Sequence, residues 1–323
     1  MTPIALVVVP GATLSSVMIT LDMINIASRY PEAADCRLDL LSAAGGEIQL
    51  SATVKLATQA LPASLEAYAA VIVPGFFAAD LASLDAQLQT VWQPVIERLR
   101  ALSPVTLVAA SCYGTFVLAE SGRLDDVNAT TTWWLQAEFA QRYPRVRLDA
   151  DQALADGGRS LTAGAMTAHT DLTLHVLRRL FGTALARKVG GIMLVDGARS
   201  SQRPFMAVQK SFDDVLVQQA VDWLAERSHE TVTPQQLADV LHVSYRTLHR
   251  RFHAATGMPP LSFLQSLRVE QAKELLEGTR LSLEQIVGRV GYSDASAFRR
   301  LFVRQAGLSP AQYRQRFRRP VDA

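Results

Sequence analysis

The apolar positions of this chain change period along its length. Residues 4–9 are continuously apolar and rich in β-branched side chains, as in a strand buried on both faces, and Pro10-Gly11 closes the run. Residues 14–30 follow the helical period through Leu14, Val17, Met18, Leu21, Ile24 and Ile26. Further strands are predicted at 38–41, 69–73 and 105–110, with short ones at 146–148 and 160–162. Helices are predicted at 84–102, interrupted by Pro94, and at 133–142, 169–181 and 183–190. Strands alternating with helices predict an α/β domain, a parallel sheet sandwiched between helices.

The C-terminal third is patterned differently, as one unit used twice. When Leu248 is aligned with Phe298, Phe252 falls on Phe302, Gly257 on Gly307, Pro260 on Pro310 and Phe263 on Tyr313, at a constant offset of 50. A repeat of this kind sets the architecture. Each copy predicts a helix with two unlike faces. Leu248, Phe252 and Ala255 form one apolar side, against Arg246, His249, Arg250 and His253 opposite. In the second copy Ala295, Phe298, Leu301 and Phe302 oppose Ser296, Arg299 and Arg300. Ser244 and Asp294 stand at the N-cap positions, before Tyr245 and Ala295, and Gly257 and Gly307 stand where the helices stop. A short helix precedes each copy, PQQLADVL and LEQIVGRV. A helix, a tight turn and a basic second helix is the helix-turn-helix plan, so an all-α C-terminal domain with two such units is predicted. Ordinary amphipathic helices with solvated charges would explain one copy, but not two with matching caps and stops.

Composition adds direction. At 323 residues the chain suits two domains, and the polar segment DGARSSQRP marks where one gives way to the other. The division expected is 1–195, a linker at 196–212, and 213–323. No apolar run is long enough to span a membrane, and the N-terminus lacks a basic region and cleavage site, so a cytoplasmic protein is expected. Cys36 and Cys112 are too few to frame disulfides. The net charge of +2 is uneven: residues 209–323 carry 16 Lys+Arg against 12 Asp+Glu, the sign that suits phosphates.

Residues 213–319 resemble the DNA-binding domain of AraC/XylS-type transcription regulators. The resemblance is carried by Ser244, Arg246, Leu248, Arg250, Phe252, Gly257, Pro260, Arg268, Ala272, Leu275, Leu276, Ile286, Gly291, Tyr292, Phe298, Phe302, Gly307, Pro310 and Tyr313. It implies two helix-turn-helix units joined by a long helix near 261–277, with recognition helices in successive major-groove segments about 34 Å apart. The DNA-facing residues would be Ser244, Tyr245, Arg246, His249, Arg250, Asp294, Ser296, Arg299 and Arg300.

In the first domain, ligands of open α/β sheets bind at the carboxyl ends of the strands. Pro10-Gly11, Pro74-Gly75-Phe76 and Ser111-Cys112-Tyr113-Gly114 gather there. The last has the form of a nucleophile elbow, which would place a thiol at a helix N-terminus and favour thiolate. The segments PGATLSSVMITLDMINIA, VIVPGF, AASCYGTFVLAESGRLD, NATTTWW and LTAGAMTAHTDLTLHVLRR resemble, in that order, the DJ-1/PfpI branch of the class I glutamine amidotransferase-like fold fused to AraC-type domains. The resemblance puts Cys112 at the elbow, Asp22 facing it and Gly75 opposite. It departs where relatives carry histidine: this chain has Tyr113 and Thr132 at those positions, leaving His169 and His175 as the histidines of the domain. Of the paired Trp133 and Trp134, at most one is expected to line a pocket and the other to be core. With Asp22, an aromatic wall would suit an amine or quaternary-ammonium ligand.

The leading expectation is a regulator without enzymatic activity, its effector bound near Asp22, Gly75, Phe76, Cys112, Tyr113, Thr132, Trp133 and His169. Double-stranded DNA, a small-molecule effector, RNA polymerase and a second copy of the chain are the expected partners, with no cofactor, metal or membrane. The alternative is a cysteine hydrolase or glyoxalase-like lyase that carries a DNA-binding domain.

Overall fold

The computed structural model describes residues 1–196 and 199–318; positions 197–198 of the expected linker and 319–323 of the expected second domain lie outside the described residues. The chain divides into two compact units, Met1–Gln202 and Arg203–Ala323.

The first unit runs β1 (Thr2–Val7), α1 (Leu14–Ala27), β2 (Cys36–Ser42), β3 (Gly46–Gln49), β4 (Lys55–Ala60) and β5 (Ala70–Val73). Then follow α2 (Leu81–Gln89), α3 (Gln93–Ala101), β6 (Leu107–Ser111), α4 (Gly114–Glu120), β7 (Asn128–Ala129) and α5 (Gln136–Arg142). It closes with β8 (Arg147–Leu148), β9 (Leu154–Asp156), β10 (Ser160–Ala163), α6 (Ala168–Phe181) and α7 (Thr183–Ile192). Eight strands form one sheet in the order β3-β4-β2-β1-β5-β6-β10-β9. Every pairing from β4 across to β10 is parallel, and β3 and β9 pair antiparallel at the two edges. The central strands carry unbroken apolar runs because helices cover both faces, and β5 and β6 are buried at every position. The chain leaves β1 for β2 on one side and resumes at β5 on the other, so the strand order reverses beside β1. A crevice opens at such a switch point, at the carboxyl ends of the strands.

The second unit is helical: α8 (Val215–Glu226), α9 (Pro234–Val240), α10 (Tyr245–Thr256), α11 (Pro260–Gly278), α12 (Leu283–Arg289), α13 (Ala295–Ala306) and α14 (Pro310–Phe317). It has two separate apolar cores. One gathers Val217, Val221, Leu224, Leu237, Leu248, Phe252 and Phe263; the other gathers Val269, Leu276, Ile286, Phe298, Phe302 and Tyr313. The nineteen-residue α11 supplies both.

The repeat is visible down to its caps. Thr233, Ser282 and Ser309 each close a capping box with a glutamine three residues on. Ser244 accepts from the Thr247 amide and Asp294 from the Ser296 amide. Gly257 and Gly307 end α10 and α13 in the left-handed conformation, at φ 74° and 68°. The offset is not constant throughout. The capping residues Thr233 and Ser282 are 49 apart, whereas Ser244 and Asp294 are 50 apart, so the second unit holds one extra residue in its turn. Both turns pass through one left-handed residue, His242 in the first and Gly291 in the second. At Gly291 a Cβ would lie 2.5 Å from the His229 carbonyl oxygen, so only glycine fits that approach. Ala255, expected on the apolar face of α10, is exposed: it lies beyond Phe252, where the core against α11 has ended.

The expected linker at 196–212 also differs. Described residues 199–202 join the first unit, where Ser201 bridges Gln152 and the Gln202 side chain is buried.

Candidate functional site

The candidate site of the first unit is the turn from β6 into α4, at the carboxyl end of the sheet. Cys112 sits there at φ 54°, a left-handed conformation that a residue with a Cβ adopts only where its surroundings impose it. Its N–H donates to the carbonyls of Ala163 (3.1 Å) and Gly164 (2.8 Å). Its carbonyl accepts from the Thr115 hydroxyl at 2.8 Å and from the Thr115 N–H at 3.2 Å. Two glycines make room: a Cβ on Gly75 would lie 3.0 Å from Cys112 Cβ, and one on Gly114 would lie 2.5 Å from the Pro74 carbonyl oxygen. Gly75 therefore does face the elbow. The side chain beside it is that of Thr13, whose hydroxyl is 3.2 Å from the same point.

Several expected site residues are placed elsewhere. Asp22 is exposed, because the buried stripe of α1 runs through Ser16, Val17, Thr20, Met23 and Ile24 and leaves position 22 outside it. The Cys112 thiol is not poised as thiolate. Burial pushes its pKa up to about 11, with only a backbone hydrogen bond opposing, and Cys36 is likewise raised to about 11. Desolvation outweighs the short seven-residue α4.

His169 lies in the first turn of α6, fully enclosed, and is locked rather than aimed at a ligand. Its Nε2 is 2.8 Å from Thr20 Oγ1 and its Nδ1 is 2.8 Å from Ser111 Oγ. The Thr20 hydroxyl donates to the Ser16 carbonyl, so it accepts from His169, and Nε2 carries the proton. Nδ1 then accepts from Ser111. Burial lowers the imidazole pKa to about 4, which keeps it neutral. His169 thus anchors the residue just before Cys112.

The aromatic side chains do collect. Phe76 is core, with its ring 5.0 Å from that of Trp92 and 5.7 Å from Tyr113. Trp134 Nε1 donates to the Tyr113 hydroxyl at 3.3 Å, and Trp133 and Trp134 stand edge to face at 5.3 Å. Neither tryptophan is core: they begin a 3-10 turn that stands at the surface, with Trp133 half-buried and Trp134 exposed. Thr132 is buried and its hydroxyl has no partner among the described residues. The sequence reading did not single out Thr20 and Thr115, which with Ser111 support the elbow; polar residues at buried helix positions were the available signal.

In the second unit α10 and α13 turn their charged faces outward. Ser244, Tyr245, Arg246 and Arg250 are exposed, as are Asp294, Ser296, Arg299 and Arg300. Arg246, Arg250 and Arg300 carry no ion pair among the described residues. Tyr245, His249 and His253 form a row along α10, with ring separations of 5.7 and 6.1 Å. The neighbouring Arg251 is committed elsewhere, to the Asp214 carboxylate that caps α8. Two exposed basic helix faces, each on the second helix of a helix-turn-helix, form a candidate DNA-reading surface.

Comparison with known proteins agrees. Residues 237–316 match a family described as a helix-turn-helix domain. The chain is similar to the HTH-type transcriptional regulator CdhR of Pseudomonas aeruginosa, 27% identical over 94% of this chain and 89% of that protein. It is 37% identical to the HTH-type transcriptional activator RhaS of an Enterobacter species, over 32% of this chain and 37% of that one. A solved structure of a putative transcriptional regulator from Vibrio parahaemolyticus superposes with a TM-score of 0.50 at 18% identity, over 60% of this chain and 98% of that one, and shares the fold. The chain thus joins an α/β unit to a unit that carries a helix-turn-helix domain, and over most of its length it is similar to an HTH-type transcriptional regulator.

Proposed function

We propose that the first unit is a sensor for a small nitrogenous metabolite and that its occupancy controls operator binding by the second. The observation that carries this reading is the aromatic cluster of Tyr113, Trp133 and Trp134, of which Tyr113 directly follows Cys112 at the carboxyl end of β6. Aromatic faces attract amine and quaternary-ammonium groups. With Asp22 outside the site, the rings and not a carboxylate would supply that attraction. The enzyme reading is disfavoured by a protonated thiol and by the engagement of both His169 nitrogens, which leaves Cys112 without a base. Dimerisation through the first unit, contact with RNA polymerase and a place in the cytoplasm belong to the same proposal. Among the described residues no helix is long and apolar enough to cross a membrane.

A thermal-shift screen of the full chain against nitrogen-containing metabolites tests the reading. A ligand of the native state at 100 times its Kd adds about 2.7 kcal/mol to stability and raises the midpoint. The same compound should alter operator affinity in a mobility-shift assay, and Trp134→Ala should abolish both effects. Multiple-turnover hydrolysis of amides or glyoxals that disappears in Cys112→Ser would instead establish the enzyme.

A further inference from the structure

Residues 199–202 are seated in the first unit rather than trailing from it. Gln202 N–H donates to the Asp151 carbonyl at 2.7 Å, and Ala153 N–H to the Ser200 carbonyl at 3.4 Å. Arg199 reaches the Asp171 carboxylate at 3.0 Å and the Thr167 carbonyl at 2.9 Å. The Gln202 side chain is 4% exposed. Its amide oxygen accepts from Ala165 N–H at 3.0 Å. Its amide nitrogen lies within donating distance of the carbonyls of Ala150 (2.8 Å), Thr131 (2.9 Å) and Gln152 (3.1 Å). The loop after β10 is glycine where this side chain lies: a Cβ on Gly164 would stand 2.1 Å from Gln202 Oε1.

Two short paths lead from this one amide to Cys112. Through its oxygen, Gln202 holds Ala165, the residue next to Gly164; the Gly164 and Ala163 carbonyls accept from Cys112 N–H. Through its nitrogen, it holds the Thr131 carbonyl; the Thr131 hydroxyl meets that of Thr115 at 2.6 Å, and Thr115 donates to the Cys112 carbonyl. Both backbone groups of left-handed Cys112 are thus fixed by segments that Gln202 fastens. A strained conformation persists only while its surroundings over-determine it.

We propose that Gln202 is a latch: it holds Cys112 in its left-handed conformation, and a change at the elbow releases residues 199–202, the exit of the chain from the sensor. Gln202 is a positioning residue in this scheme and touches no ligand. The proposal rests on the elbow being the sensing site. It gives that site an output through the chain itself, and the coupling must run in both directions.

The test uses the full chain with Cys36→Ser, so that Cys112 is the only thiol. Two rates are read: iodoacetamide alkylation of Cys112, and tryptic cleavage after Arg199 and Arg203 by mass spectrometry. Gln202→Ala should raise both by about tenfold, the scale of one or two buried hydrogen bonds, while the circular dichroism spectrum and cooperative melting persist. In the reciprocal arm, protein already carbamidomethylated at Cys112 should be cleaved faster than unmodified protein. Where Gln202→Ala does not fold, Gln202→Glu keeps the volume, loses the donors, and should show the same paired rise. Faster cleavage with an unchanged alkylation rate would make residues 199–202 a local strap only and overturn the latch. So would cleavage of the alkylated protein at the unmodified rate. Neither arm contains an effector, so these rates judge the latch alone and the thermal-shift screen judges the sensor.

Discussion

His169 shows how much one side chain can tie together. Its neutral ring joins α1, β6 and α6 through two hydroxyls, and the burial that lowers its pKa makes acid costly. The folded-state value of about 4 lies below the ordinary 6.5, so protons favour the unfolded chain. The contribution is present above pH 6.5 and is lost as pH falls through 4, on the order of 3 kcal/mol at most. Urea titrations between pH 7 and pH 4 should show this decline, and His169→Gln should flatten it. Cys112 supports a second prediction, opposite to the expectation from sequence. Its thiol is buried and raised as far as that of Cys36, which is less enclosed. Iodoacetamide at pH 8 should therefore modify Cys36 first, with quantitation by peptide mass spectrometry. Sequence located the elbow because Cys112 ends an apolar strand run and Gly114 opens the helix that follows, the pattern of a strand-to-helix turn. It misjudged Asp22 and the thiolate because exposure and desolvation depend on which stripe of α1 meets the sheet, and no spacing states that.

At the scale of elements, the second unit was legible almost to the residue. Its helices carry their own punctuation in Thr233, Ser244, Ser282, Asp294, Ser309 and the two stop glycines. Because Gly257 and Gly307 are left-handed, Gly257→Ala and Gly307→Ala should each cost about 1 kcal/mol in urea unfolding. They end helices of different cores, so the double variant should show the sum. In the first unit the central strands β1, β2, β5 and β6 were legible as apolar runs, while β3, β4 and β9 were not. Residues 55–60 read KLATQA and are largely exposed, so the edge hairpin lacks a buried face to set a period. The basic helices separate two arginines that composition treats alike. Arg250→Ala should weaken operator binding by about 1–3 kcal/mol and relax one base position if it reads guanine. Arg251→Ala should lower stability by freeing the Asp214 cap and leave base preference unchanged, as operator-variant binding assays would show.

For the whole molecule, the uneven charge becomes a salt dependence. The logarithm of operator affinity should fall linearly with that of salt, by about 0.9 per phosphate neutralised. Replacing a phosphate-binding arginine should reduce that slope by about one, whereas Trp134→Ala should leave it untouched, since the aromatic wall meets no phosphate. The nineteen residues of α11 set a further constraint on what the protein can read. One continuous helix, about 28 Å long, feeds both cores of the second unit, so it fixes angle as well as distance between them. A single residue inserted in its middle would turn one recognition helix about 100° around the α11 axis relative to the other. The second contact would then leave the groove even though every base-reading side chain remained. An insertion of seven residues would nearly restore the phase and lengthen the separation along α11 by about 10 Å. The operator that this protein accepts is therefore written in the length of α11 as much as in the arginines of α10 and α13.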